Sequence, residues 1–363
     1  MSIRHLTWPV GETFRLALLP KRYALAVPLF RSLILAALLS ACAPSVTPVE
    51  MRDTVVQPVP PGETLRVVIM GDQGTSLPDQ HAVAKGMQAT CKDAGCDLGF
   101  GLGDNFYPAG PTSTLSPLFK ERFADLYAPL KIPFLMITGN HDETLVHGGD
   151  GANPAGAEVQ IAYSKLKAQW VMPDRYYRAQ VGDLLDVLAV DTTPLASMVP
   201  SRRAVERPGG SWEVMQRKWL AQQARESKAQ WTVVLGHHPL YSNGKHGDAG
   251  AYDGWPSPLM RGDVVRSLYR AACQDIDIIF SGHDHALQLF APQAECPSTW
   301  QVVSGAAGKV DGIQKGKRPA AFQQYRLPGF TWMKVTREEL NLRFNTVNSE
   351  GVPALAFEQV IRK

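Results

Sequence analysis

The sequence has no dense run of lysine and arginine, and its formal net charge over 363 residues is only +3. With a pI of about 8.5, charge gives no argument for nucleic acid, and none is expected as a partner. An anionic substrate is weakly favoured. No internal repeat or low-complexity tract divides the chain. The apolar run from Ser32 to Leu39 is too short to span a bilayer, which takes ~20 apolar residues. The chain has five cysteines, and none sits near a histidine cluster with zinc-finger spacing, so they are not read as metal ligands.

What is present begins with that apolar run. Lys21, Arg22 and Arg31 precede it, and Leu39-Ser40-Ala41-Cys42 follows. A basic region, a short apolar stretch and small residues make residues 1–41 an export signal. Small residues directly before a cysteine resemble a bacterial lipoprotein signal. That resemblance implies that Cys42 is acylated and becomes the first residue of the mature chain. It implies a lipid anchor in the bacterial cell envelope, facing the periplasm, with the outer membrane favoured. A plain secretory signal is the alternative. The length of the signal points to a start codon downstream of Met1. Residues 42–63, rich in Pro, Val and Thr, read as a tether, and residues 64–363 as the enzyme domain. Export allows disulfides. Cys91, Cys96, Cys273 and Cys296 can pair in three ways; Cys91 with Cys96 closes a short loop and leaves Cys273 with Cys296.

From Leu65 onward, short apolar runs end in polar clusters. Arg66–Met70 leads into Gly71-Asp72, Leu98–Leu102 into Gly103-Asp104, and Phe134–Ile137 into Gly139-Asn140-His141. Leu184–Val190 leads into Asp191, Trp231–Leu235 into Gly236-His237, and Ile276–Phe280 into Gly282-His283. Runs of this length rich in Val and Ile predict buried strands. Helices are predicted at Ala82–Cys91, Ser164–Val171 and Met215–Ser227. This α/β alternation predicts a largely parallel sheet, with ligands beyond the carboxyl ends of its strands. Gln301–Val303, Phe330–Val335 and Leu340–Thr346 predict antiparallel strands of a second sheet. Thr144–Gly156 reads as a loop.

The polar residues at the strand ends are Asp72, Asp104, Tyr107, Asn140, His141, His237, His283 and His285. Carboxylate, amide, imidazole and phenol donors suit iron, manganese or zinc better than calcium or magnesium. The donors are too many for one ion. Two ions bridged by a carboxylate would use them, an arrangement common in phosphatases.

Gly71-Asp72, Gly103-Asp104, Gly139-Asn140-His141-Asp142, Gly236-His237 and Gly282-His283-Asp284-His285 resemble the signature of calcineurin-like metallophosphoesterases. Gly103-Asp104-Asn105-Phe106-Tyr107 resembles the purple acid phosphatases. Gln160–Lys165 and Ser304-Gly305-Ala306 are similar to their small tartrate-resistant type. The resemblance runs from about Leu65 to Phe357. It leaves no room for the extra amino-terminal domain of the large plant enzymes. It implies two mixed β-sheets packed as a sandwich and flanked by helices, a four-layer α/β/β/α fold.

The resemblance also implies that Asp72, Asp104, Tyr107 and His285 hold a first metal, Fe3+. Asp104, Asn140, His237 and His283 would hold a second, Fe2+, Zn2+ or Mn2+. Asp104 would bridge them. His141 and His246 would sit by the substrate as general acids. The implied function is an acid phosphatase hydrolysing small phosphate monoesters with metal-activated water, acting as a monomer. A phosphodiesterase of the same superfamily is the alternative, and a non-catalytic metal- or phosphate-binding lipoprotein another. Asp142 and Asp191 read as supporting residues; His238 directly follows a ligand position, so its side chain is expected to point away from Asp104 and at most to border the cleft, its role left open. His147 is a weaker substrate-contact candidate. Trp170, Trp219 and Trp231 read as core. Gln73 stands where the animal type often has tryptophan.

Overall fold

The protein is described by a computed structural model over residues 54–55, 64–146, 148–197, 199–252 and 261–363. The export segment, Cys42, His147 and all of the tether except Thr54 and Val55 lie outside the described residues. Fifteen strands occur among them. They are β1 (Thr54–Val55), β2 (Leu65–Met70), β3 (Leu98–Leu102), β4 (Phe134–Ile137) and β5 (Trp170–Val171). Then come β6 (Tyr177–Val181), β7 (Leu185–Ala189), β8 (Trp231–Leu235), β9 (Ile278–Ser281) and β10 (Leu287–Phe290). The last are β11 (Trp300–Ser304), β12 (Phe322–Gln324), β13 (Gly329–Val335), β14 (Glu339–Val347) and β15 (Pro353–Arg362).

They form two mixed sheets. The eight-stranded sheet has the order β1-β6-β7-β8-β9-β11-β10-β12, and the seven-stranded sheet β15-β14-β13-β2-β3-β4-β5. Each has a parallel centre: β2, β3, β4 and β5 in one, β7, β8, β9 and β11 in the other. The faces between the sheets are apolar and close-packed. Phe100 meets Phe280 across the gap at 5.9 Å between ring centroids. Ser304 Oγ donates to Ile69 O at 3.2 Å. Each such Val, Leu, Ile or Phe contributes ~1.5–3 kcal/mol on burial.

Helices cover both outer faces. Pro78–Ala94 buries Val83 and Met87 on the seven-stranded sheet. Ser211–Glu226 and Asp263–Arg270 bury Leu220, Leu268 and Tyr269 on the other. The sandwich with flanking helices is the expected fold. Disulfides join Cys91 to Cys96 and Cys273 to Cys296. No helix among the described residues is long and apolar enough to cross a membrane.

Two readings of local structure fail. The helix expected at Ser164–Val171 instead ends at Ser164, and Trp170–Val171 pairs with β4. The Trp170 indole is drawn into an aromatic cluster with Phe106, Phe119, Phe123 and Tyr163, and this packing overrides local propensity. Strands β6, β10 and β15 had no sequence signal of their own. In β15 most residues are exposed or half-buried, so it lacks a continuous apolar run. Thr54 and Val55 pair in parallel with Ala179 and Gln180, inside the stretch read as tether.

Candidate metal centre

The carboxyl ends of β2, β3 and β4 meet those of β8 and β9, and the glycines explain how closely. A β-carbon at Gly139 would lie 2.3 Å from Asp104 Oδ1. At Gly103, whose φ is 85°, it would lie 2.8 Å from His237 Nδ1. Only a residue without a side chain lets these strand ends approach within reach of each other's ligands. Asp72, Asp104 and His283 themselves take φ of 60°, 53° and 68°. Such left-handed backbone costs ~1–3 kcal/mol per residue and clusters at functional sites.

Two groups of donors result. Tyr107 Oη lies 3.1 Å from Asp72 Oδ1, 2.8 Å from Asp104 Oδ2 and 3.2 Å from His285 Nε2. Asn140 Oδ1 lies 3.0 Å from His237 Nε2 and 3.1 Å from His283 Nδ1. Asp104 Oδ1 lies 3.5 Å from His237 Nε2. The two oxygens of Asp104 therefore face one group each.

Proton counting shows what these groups suit. His237 Nδ1 is 2.8 Å from Leu102 O, an oxygen that only accepts, so this nitrogen carries the proton. The His237 Nε2 then points at Asn140 Oδ1 and Asp104 Oδ1, both acceptors; burial opposes the charged ring, but Asp104 and Asp72 outweigh it and raise His237. His285 Nδ1 faces Asp311 Oδ2 at 3.1 Å, which likewise turns its Nε2 toward Tyr107 and Asp72. Tyr107 has one proton for three acceptors. Lone pairs converging in excess of protons fit cations. Asp72, Asp104 and His237 have ligand atoms within 4.8 Å of one another, as do His237, His238 and His283.

With these neighbours alone, protons sit where cations would bind. Burial pushes the Tyr107 phenol up, and Asp104 and Asp72 push it further, so with these neighbours alone it stays protonated. Burial pushes the Asp104 carboxyl up, but His237, His141 and the His141 N–H pull it down to about 2. Burial opposes the charged form of His285, while Asp311 and Asp72 raise it to about 9. Burial and the surrounding histidines hold His283 far below the usual range, leaving it neutral and able to ligate.

The two expected acids border these groups. The His141 N–H donates to Asp104 Oδ1 at 2.8 Å, and its ring packs 4.1 Å from that of Tyr107. The His246 ring lies 4.4 Å from that of His283. Loops hold both. Asp142 Oδ2 accepts from the N–H of Gly139 at 2.8 Å and of Asn105 at 3.2 Å. Asp284 turns away from the donor groups and accepts from Ser242 Oγ and the His246 N–H, at 2.5 and 2.8 Å. Residues 144–146 and 148–156 rim the cleft, with Gly149 O accepting from Asn140 Nδ2 at 2.8 Å. Trp170, Trp219 and Trp231 are buried, as expected.

Sequence reasoning missed several partners. His238 is fixed by Thr192 Oγ1, 2.9 Å from its Nδ1, and its ring lies 4.4 Å from that of His283. Gln73 lies beneath the cleft, donating to Asn105 Oδ1 at 2.8 Å. Asp191 pairs with buried Arg175, which also holds Glu143 and Glu206, at 2.5, 3.1 and 2.7 Å respectively. Asp311 lies 26 positions after His285 in a stretch without regular pattern, where nothing local marks a carboxylate as a histidine's partner.

A family model, calcineurin-like phosphoesterase, matches residues 65–287. The fold and the site define a hydrolase of the metallophosphoesterase superfamily. The chain belongs to the calcineurin-like phosphoesterase family. It is 27% identical over 311 residues to tartrate-resistant acid phosphatase type 5 of Rattus norvegicus, covering 78% of this chain and 87% of that protein. It is 25% identical over 334 residues to purple acid phosphatase 4 of Arabidopsis thaliana, covering 88% and 91%. In fold it is similar to the purple acid phosphatase PPD1 of yellow lupin, with a TM-score of 0.56 and 17% identity over 82% of this chain and 54% of that one. GAP50 of Plasmodium aligns with a TM-score of 0.62 and 17% identity, over 83% and 89%.

Proposed function

We propose that the protein is an acid phosphatase that hydrolyses phosphate monoesters at a two-metal centre. The observation that carries this reading is Asp104, whose two carboxylate oxygens face the two donor groups. Asp72, Asp104, Tyr107 and His285 would hold one ion, and Asp104, Asn140, His237 and His283 the other. A phenol among the first group favours Fe3+ there, with Fe2+, Zn2+ or Mn2+ in the second. When bound, the pair supplies Lewis acidity that lowers the pKa of water and offsets phosphate charge.

The chain's own residues do the rest. His141 Nδ1 lies 2.9 Å from Pro108 O, which only accepts, so Nδ1 keeps its proton and the ring orientation is fixed. Nε2 is left to hold the proton that the leaving alkoxide needs. His246, beside His283, is the second donor of protons and of positive charge to the phosphate. Asp142 and Asp284 hold the two loops that present these rings.

Steady-state rates on p-nitrophenyl phosphate and bis-p-nitrophenyl phosphate test the reading. A dominant monoester rate in acid is expected; a dominant diester rate overturns it in favour of a phosphodiesterase. No turnover of either by metal-loaded protein would leave a binding protein. Fe3+ at Tyr107 predicts a visible absorption band that Tyr107→Phe removes.

A further inference from the structure

After β11, residues 305–318 return over the Tyr107 side of the cleft. They are pinned to the loop bearing His246. The N–H groups of Lys315 and Gly316 donate to Asn243 O at 2.9 and 3.0 Å, and that of Arg318 donates to Asn243 Oδ1 at 2.8 Å. Two half-buried lysines meet there. Lys309 Nζ lies 4.7 Å from the centre of the Tyr107 ring. Lys245 directly precedes His246. The His246 ring lies 6.4 Å from that of His285, whose Nδ1 faces Asp311 two residues beyond Lys309, so the segments bearing the two lysines border one side of the cleft. Asp311 itself is engaged with His285. Neither lysine has an ion-pair partner within 4.0 Å among the described residues. Other cations near the site are matched: Arg318 pairs with Asp248, and Arg175 with its three carboxylates.

Two ammoniums without a close carboxylate partner, on one side of the proposed phosphate site, can offset a further negative charge. We propose that Lys245 and Lys309 form a subsite for a second anionic group carried by the leaving portion of the substrate. The favoured substrates are then phosphate monoesters with a carboxylate or further phosphate on the alcohol side. This inference rests on the monoesterase reading. A purely structural Lys309, covering the Tyr107 ring, would act on every substrate alike.

The test uses two esters alike in shape and different in charge, 3-carboxyphenyl phosphate and 3-carbamoylphenyl phosphate, on the metal-loaded chain. The expected ratio of kcat/KM is about tenfold in favour of the carboxylate, arising in KM and shrinking with added salt. In the Lys245→Met/Lys309→Met double variant the ratio falls to about one. Any loss common to both esters cancels in that ratio. Lys245→Arg and Lys309→Arg keep the charge and keep the preference. Calorimetric affinities of 3-carboxybenzylphosphonate and 3-carbamoylbenzylphosphonate give the same ratio without turnover. A wild-type ratio near one, or a ratio unchanged in the double variant, overturns the subsite. If neither ester is hydrolysed, the monoesterase reading fails, and the phosphonate ratio still decides the subsite.

Discussion

Replacing Arg175 with Met tests how the cleft is held. Arg175 is 5% exposed and faces three carboxylates: Glu143 at 3.1 Å, Asp191 at 2.5 Å and Glu206 at 2.7 Å. Removing one partner of a buried pair costs ~3–5 kcal/mol, because the remaining charge stays buried. Against a total stability of ~5–15 kcal/mol, this is a large fraction. The pH dependence has a definite sign. Burial already pushes Glu143 and Asp191 up, and Arg175 opposes it. Without the arginine both rise further. A carboxyl raised in the folded state stabilises fully below its unfolded value, near pH 4, and that stability is lost as pH rises toward the folded value. Each proton held only by the folded state steepens the loss by ~1.4 kcal/mol per pH unit. Denaturant unfolding of Arg175→Met from pH 4.5 to 8 is therefore expected to show a deficit that grows with pH. Adding Glu143→Gln and Asp191→Asn should recover part of it. A deficit under ~1 kcal/mol, or one flat across that range, would refute the argument. Activity should fall too, since Glu143 lies two residues from His141 and its carbonyl accepts from Asn153 N–H at 2.7 Å in the rim loop.

Three further outcomes are expected. Asp104→Asn should lose metal from both sites and with it turnover; elemental analysis finding two equivalents in this variant would count against the bridge. Asp311→Ala frees His285 to rotate and should weaken metal at the Tyr107 site ~10–100-fold, read by chelator competition, while the Asn140 site changes less. We further propose that Cys42 carries a lipid anchor: Cys42→Ala should move the full-length protein from the membrane to the soluble fraction of cells, and an unchanged distribution would overturn the anchor.

The parts of the site that could be read in the sequence share a physical cause. A glycine precedes Asp72, Asp104, Asn140, His237 and His283 where strand ends crowd, and the strands there are buried on both faces. Both constraints leave local marks: Gly-Asp, Gly-Asn-His or Gly-His after a Val- or Ile-rich run. Both donor groups therefore contain the residues expected of them. The two sheets were less legible, because β6 and β15 are stabilised by pairing with neighbours more than by an apolar run of their own. The helix expected at Ser164–Val171 was lost to Trp170, whose place is set by Phe106 and Phe119, distant in sequence.

The charged supports were not legible at all. Asp191 ends a strand and looks like a cap, and it does accept the Thr193 N–H at 3.0 Å. Its larger interaction is with Arg175, sixteen positions earlier, and no spacing rule links the two. The same holds for Asp311 and His285. Ligands are fixed by where strands end, so they leave a pattern. Their charge partners need only reach the right volume of space, so any residue on a neighbouring loop can serve. Lys245 and Lys309 are likewise on loops, and no pattern marks them. A cleft built this way can keep its donor groups constant while the loops around it change what else the cleft contacts.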